Sequence, residues 1–209
     1  MKKENEKGRK KSAGREIAEW VLTILAAVMI ALVIRSFVFE PVRVEGDSMN
    51  GTLTDGEIML VTKYDYASVW LSFPWQSDEE KEAAARVTTG GEPSRFDVVI
   101  CHYPGRGDTK FVKRVVGLPG DTVQLTEGYL YVNGEKYDEP YIADEYRTAW
   151  KSDGYSFGPA TVPEGCYFVM GDHRNNSNDS RYVGAIERSC IIGHVRRVLL
   201  PFGNARTIE

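Results

Sequence analysis

Cysteine and histidine are both scarce in this chain, with three of each among 209 residues. Cys101, Cys166 and Cys190 lie far apart and form no CxxC pair, which excludes a recognisable zinc signature; no metal is assigned. An odd number cannot all pair within one chain, and spacing alone leaves open whether any two do. His102, His173 and His194 carry no accompanying pattern that would mark a Ser-His-Asp triad. Clustered positive charge is confined to one place. Residues 1–15 hold seven Lys or Arg against two Glu, so the formal −4 of the whole chain becomes −9 over residues 16–209. A short basic strip abutting an apolar run reads as the cytoplasmic flank of a membrane segment, not as a nucleic-acid arm, and no nucleic-acid partner is expected.

The apolar run is "IAEWVLTILAAVMIALVIRSFVF", Ile17 to Phe39. At about 1.5 Å per residue it is long enough for a helix to cross a hydrocarbon layer of about 30 Å, with Glu19 near one face and Arg35 reaching to the other. Between Trp20 and Ile34 only Thr23 is polar, so the helix is apolar on every face, which suits lipid better than the core of a soluble domain. The run exceeds the apolar core of a cleaved leader, and no small-x-small cleavage site comes after it. The expectation is a retained single-pass anchor over residues 16–39, with tail 1–15 in the cytoplasm and residues 40–209 outside.

Beyond the anchor the pattern changes to short runs of β-branched and aromatic residues bounded by Gly, Pro and Asn: 41–45, 57–63, 96–102, 110–118, 129–134, 166–172 and 191–200. These runs predict a mostly-β domain. Pro119-Gly120 suits a type II turn and Asn133-Gly134 a tight hairpin. Two stretches break the pattern. Residues 68–95 combine Trp70, Phe73 and Trp75 with the helix-prone "DEEKEAAAR"; residues 138–163 are acidic and rich in Tyr and Pro. Both read as loop-like insertions.

Within "VEGDSMNGTL", residues 44–53, Ser48 stands just past the apolar run. A serine hydroxyl becomes a nucleophile only with a base in hydrogen-bond reach. Lys113, inside "FVKRVVGLPGD", is the other known option besides histidine: strand alternation puts Phe111, Lys113 and Val115 on one face, and a lysine on an apolar face loses affinity for its proton. Lowering it into the neutral range costs about 3 to 5 kcal/mol, which a folded domain sustains. A lysine in a strand is more commonly a solvent-facing residue. The third feature is "GDHRNNSNDSR", residues 171–181, without one apolar side chain. By composition it is equally a solvated turn or a set of groups that orients a catalytic pair.

Taken together and in this order, the anchor, "GDSMNGTL", "RFDVVI", "KFVKRVVGLPGD" and "GDHRNNSNDSR" resemble the type I signal peptidases, membrane-bound Ser/Lys endopeptidases that remove signal peptides from exported proteins. The resemblance covers residues 16 to about 200 and is to the shorter bacterial form with one N-terminal anchor. It implies a β domain of antiparallel sheets, with Ser48 as nucleophile and Lys113 as general base. It implies that Ser177 hydrogen-bonds and orients the lysine, and that Asp179 with Arg181, and Asp172 with Arg114, hold the polar loop. Gly46, Asp47, Met49, Val44 and Phe111 become the oxyanion and substrate-binding candidates. No metal or organic cofactor is implied. The implied partners are preproteins with signal peptides, cut after small residues of the Ala-x-Ala type, the lipid bilayer and nearby secretion machinery. Substrate would lie extended along "PVRVEG" and the strand carrying Lys113.

Three positions depart from the family pattern. Gly51 stands where proline is usual, which loosens the turn by restoring backbone freedom. His173 stands for an asparagine. Gly46 offers no side chain where some relatives have an oxyanion-assisting serine, which leaves more of that task to the Ser48 N–H, alone or with a second backbone donor. Two other readings compete: a self-cleaving repressor protease, which would be cytoplasmic and carry a DNA-binding domain, neither of which fits Ile17 to Phe39, and a membrane-anchored, non-catalytic assembly factor.

Overall fold

The computed structural model describes residues 13–37, 39–63, 65–66, 68–70, 86–88, 91–107, 109–143, 145–146 and 156–208. The chain divides into two units, Met1–Val38 and Phe39–Glu209. In the first, helix α1 runs Ala13–Phe37. Its apolar side chains are open on all sides: Trp20, Leu22, Met29 and Ile30 are each at least 60% exposed. Among the described residues no helix is long and apolar enough to cross a membrane. The side chains described in α1 end at Ala31 and include Arg15, Glu16 and Glu19.

The second unit is antiparallel β throughout. Strands β1 (Phe39–Arg43), β2 (Ile58–Thr62), β5 (Val98–His102), β6 (Lys110–Gly117), β11 (Cys166–Met170), β12 (Ile186–Glu187), β13 (Ile191–Leu200) and β14 (Arg206–Thr207) form the main sheet, in the order β1-β2-β13-β5-β6-β11-β12 with β14 beside β13. A second sheet has the order β10 (Phe157–Thr161), β7 (Thr122–Thr126), β8 (Tyr129–Val132), β9 (Glu135–Lys136). A pair, β3 (Ser68–Trp70) and β4 (Arg86–Thr88), stands apart from both.

Central strand β5 is buried on both faces, so it reads as a continuous apolar run. In β5, Val98 and Ile100 enter a core with Val44, Met49, Leu53 and Met59, while Val99 and Cys101 enter another with Val115, Tyr167 and Val169. Phe168 and Met170 join a third core with Val123, Leu125 and Leu130, which seats the second sheet. Met49 and Leu53 root the turn after Ser48 in the first core, so the position of the serine is tied to the packing of the main sheet.

All seven expected β stretches contain strands, and both turns are present. Gly120 has φ +83°, and Asn133 and Gly134 have φ +54° and +82°, the two left-handed residues of a tight hairpin. Strands also form outside these stretches, among them the two-residue β9, β12 and β14. Residues 157–161, read as part of a loop, form β10; Gly158 at φ +84° and a register shift make it irregular, which hid it in the sequence. Strand β7 lies outside every expected stretch, since "TVQLT" alternates polar and apolar residues without aromatics. The 68–95 insertion supplies β3 and β4, and Arg86 of "DEEKEAAAR" lies in β4; the rest of that stretch, with Phe73 and Trp75, lies outside the described residues. All three cysteines are free.

Candidate active site

Ser48 sits in a tight turn between β1 and β2. The Asn50 N–H donates to Asp47 O at 3.0 Å, and the Thr52 and Leu53 N–H groups donate to Met49 O at 3.0 and 2.8 Å. The Gly46 N–H donates to Asp55 Oδ1 at 2.8 Å, and Gly46 adopts φ +87°, a conformation glycine takes without strain. Gly51 has φ +104°. Proline, locked near −65°, cannot take that conformation, so the glycine does more than loosen the turn: it lets the chain fold left-handed here. A side chain there would also crowd Tyr141 O, 3.0 Å from an added Cβ.

Strand β6 brings Lys113 to this turn. Its Nζ lies 2.8 Å from Ser48 Oγ and 2.8 Å from Val112 O, and the residue is 2% exposed. Burial pushes the amine below the ordinary lysine value, opposed by the electrostatic influence of Cys101 and of the Asp179 and Asp172 carboxylates. Phe111 lies on the same face, its ring 5.9 Å from Nζ. The amine therefore has what a general base needs: contact with the hydroxyl and a reason to be neutral.

The next residue, Arg114, turns to the other side of the strand. Its Nε and Nη2 donate to Asp172 Oδ1 and Oδ2 at 3.0 and 2.9 Å, both residues being wholly buried. Nη1 donates to Phe96 O at 2.8 Å, and the guanidinium lies 3.7 Å above the Tyr141 ring. Thr52 Oγ1 donates to Asp172 Oδ2 at 2.5 Å. One carboxylate thus ties together the Ser48 turn, the lysine strand and the polar loop.

The loop 171–181 is held by a second buried pair. Arg181 Nε and Nη2 each donate to Asp179 at 2.7 Å, and the Gly171 N–H donates to Asp179 Oδ2 at 3.0 Å. Asp179 also caps the short helix Ser180–Val183. Gly171 is required by close approach: a Cβ there would stand 2.3 Å from Ser177 Oγ and 2.4 Å from Ser48 O. Ser177 is thereby placed beside the Ser48 backbone, but among the described residues its hydroxyl is buried with no hydrogen-bond partner. The bond expected from Ser177 to Lys113 is not made; the amine is held by Ser48 and Val112 instead.

Ser48 and Lys113 both line a cavity of about 390 Å³, together with Val44, Gly46, Met49 and Phe111 among others. Asp47 does not line it. Its side chain is exposed, and its contribution is the backbone carbonyl within the turn. The histidines at 102 and 194 lie elsewhere: His102 Nδ1 is 3.1 Å from Thr109 O, and His194 stacks on Tyr66 between Asp65 and Asp97. A third buried pair has no local signal in the sequence. Arg174 Nη1 donates to Glu139 Oε2 at 3.0 Å and Nη2 to Oε1, while Nε donates to Gly171 O at 3.2 Å. Glu139 lies in the acidic stretch read as loop without chemistry, and no nearby residue links it to Arg174. Among the described residues no group of His, Cys, Asp and Glu is arranged to hold a metal ion.

The similarity to known proteins points to one class, the peptidases. The family model described as "Signal peptidase, peptidase S26" matches residues 17–200. A signal peptidase I of Bacillus licheniformis is 42% identical over 199 residues, covering 91% of this chain and 92% of its own. Two proteins of Bacillus subtilis strain 168 are comparable: signal peptidase I S at 40% identity, covering 93% and 95%, and signal peptidase I T at 41%, covering 90% and 88%. The chain belongs to the signal peptidase family S26, among its signal peptidase I enzymes.

Proposed function

We propose that this enzyme is a membrane-anchored serine endopeptidase that removes signal peptides from exported preproteins, with Ser48 as nucleophile and Lys113 as general base. The observation that carries the reading is the 2.8 Å contact of a 2%-exposed lysine with the Ser48 hydroxyl. Ser48 Oγ attacks the scissile carbonyl as its proton passes to the neutral amine. The ammonium then protonates the departing amine, and water cleaves the ester by the reverse route. A neutral amine offers one lone pair and two N–H groups. With the lone pair toward Ser48 and one N–H on Val112 O, the second N–H needs an acceptor, and the Ser177 hydroxyl turns to supply it.

Substrate enters as an extended strand. Among the described residues β1 pairs only with β2, and the first half of β6 pairs only with β5, since β11 joins it from Arg114 onward. The cavity lies between these two free edges, so an added strand satisfies its backbone groups on both sides and meets Val44, Met49 and Phe111 with alternate side chains. The apolar side chains of the lining, Val44, Met49 and Phe111 among them, meet small residues, of the Ala-x-Ala type, on the acyl side of the cut.

Residues 16–39 anchor the chain in the lipid bilayer, with tail 1–15 in the cytoplasm and the β domain 40–209 outside, near the machinery that delivers preproteins. Supporting this are the 25-residue α1, its open apolar surface and the +5 flank before it. External protease on intact cells should degrade the domain after Phe39 and spare a tag on Met1; recovery of the whole chain in the cytosol would overturn the anchor. The competing reading, a non-catalytic assembly factor, is separated by one assay. Purified full chain should cut a preprotein and Ser48→Ala should not; equal turnover by both excludes Ser48 as nucleophile.

A further inference from the structure

Peptide cleavage by Ser48 needs a donor for the oxyanion. Gly46 has no side chain to give, and the Ser48 N–H donates to no group among the described residues. That N–H belongs to the peptide unit joining Asp47 to Ser48, whose other end is the Asp47 carbonyl. His173 Nδ1 lies 3.0 Å from Asp47 O. A carbonyl only accepts, so Nδ1 carries the proton and the tautomer is set by this contact. The His173 backbone N–H donates to Ser48 O at 3.1 Å, the carbonyl of the next peptide unit. One residue therefore clamps both peptide planes that flank the nucleophile. The imidazole is held in turn by Tyr146, stacked on it with centroids 4.0 Å apart, and the Asn50 N–H reaches the same Asp47 carbonyl at 3.0 Å.

We propose that His173 is a positioning residue for the oxyanion: by donating from Nδ1 to Asp47 O it orients the Asp47–Ser48 peptide and polarises its N–H toward the developing negative charge. Donation to a peptide oxygen strengthens the N–H at the other end of the same resonance unit. A preoriented donor stabilises the tetrahedral intermediate more than the flat ground-state carbonyl. With Gly46 unable to assist, the aim of this single N–H carries the stabilisation. The proposal rests on Ser48 being the nucleophile.

Three variants of the full chain test it: His173→Leu, which removes the donor, His173→Asn, whose amide N–H replaces it, and Ser48→Ala. The measurements are kcat and KM on a preprotein, affinity for a peptide aldehyde that forms a tetrahedral adduct with a serine, and affinity for an uncleavable peptide. His173→Leu should lower kcat by about 10- to 100-fold, since removing an oxyanion donor outright costs about 100- to 1,000-fold and here the donor stays but loses its aim. KM and the uncleavable peptide should change by less than about twofold, and the aldehyde should weaken by the same factor as kcat. His173→Asn should recover most of the loss. If the leucine chain fails to fold, His173→Ala takes its place with the same expectation. Wild-type kcat in the donorless variant, a fall in kcat without weaker aldehyde binding, or an asparagine variant no better than leucine would each overturn the proposal. A fully active Ser48→Ala would instead overturn the reading on which it rests.

Discussion

Lys113 and Arg114 are neighbours on one strand and equally buried, yet they face opposite sides and meet opposite fates. On the Arg114 side a carboxylate answers the charge with two parallel hydrogen bonds, a backbone carbonyl takes a third, and an aromatic ring covers the guanidinium. On the Lys113 side the direct partners are a hydroxyl and a carbonyl, and desolvation drives the amine toward its neutral form. Burial alone does not decide what a cation does. A matched cation becomes a structural tie; an unmatched one that can release its proton is suited to act as a base.

The largest effect is expected on the lysine side. Lys113→Met should reduce kcat by at least about 1,000-fold while leaving the domain folded. The stability sign comes from the direction of the shift. A folded-state value below the ordinary 10.5 means that the unfolded chain holds the extra proton between the two values. Wild-type stability should therefore rise with pH through that window, and activity should rise with it as the base is freed. Unfolding free energy measured against pH should lose that slope in Lys113→Met. A variant that keeps the slope, or keeps its activity, would break the contrast.

On the arginine side the dominant effect should be on stability. Asp172→Ala takes the carboxylate from a fully buried guanidinium and the acceptor from Thr52, at a cost of about 3 to 5 kcal/mol. Denaturant unfolding should show it. Arg114→Met combined with Asp172→Leu should recover much of that loss, because an apolar pair leaves no charge to match. A single variant as stable as wild type would mean that the pair is no structural tie.

Ser177→Ala should be the mildest. Its hydroxyl has no bond to lose in the resting structure. The melting temperature should hold or rise slightly, while kcat falls by about 10-fold through the loss of the acceptor for the second amine N–H, equivalent to about 1.4 kcal/mol. Unchanged kcat with unchanged KM would mean that Ser177 only fills space beside Gly171.

Legibility in the sequence depended on whether the signal was local. The β character, the two glycine turns and the amphipathic logic of "FVKRVVG" lie within a few consecutive residues, where alternation and backbone preference act directly. Strand β10 escaped because its bulge and left-handed glycine break the alternation. The Arg174–Glu139 pair escaped because its members lie 35 positions apart. The resting state of Ser177 escaped too, since a motif names residue types and not rotamers.

By itself, then, the sequence determined the class of the domain and the residue types available for chemistry: a serine after an apolar run, a lysine on an apolar strand and a polar loop without hydrophobic side chains. Only the tertiary structure decided that Ser48 and Lys113, 65 positions apart, stand 2.8 Å from one another, that Arg114 is matched where Lys113 is not, and that His173 contacts the peptide units on both sides of Ser48. The reason is physical. Backbone and burial preferences are properties of neighbouring residues, whereas desolvation and hydrogen-bond partnership depend on which distant groups the folded sheet brings to the same few ångströms.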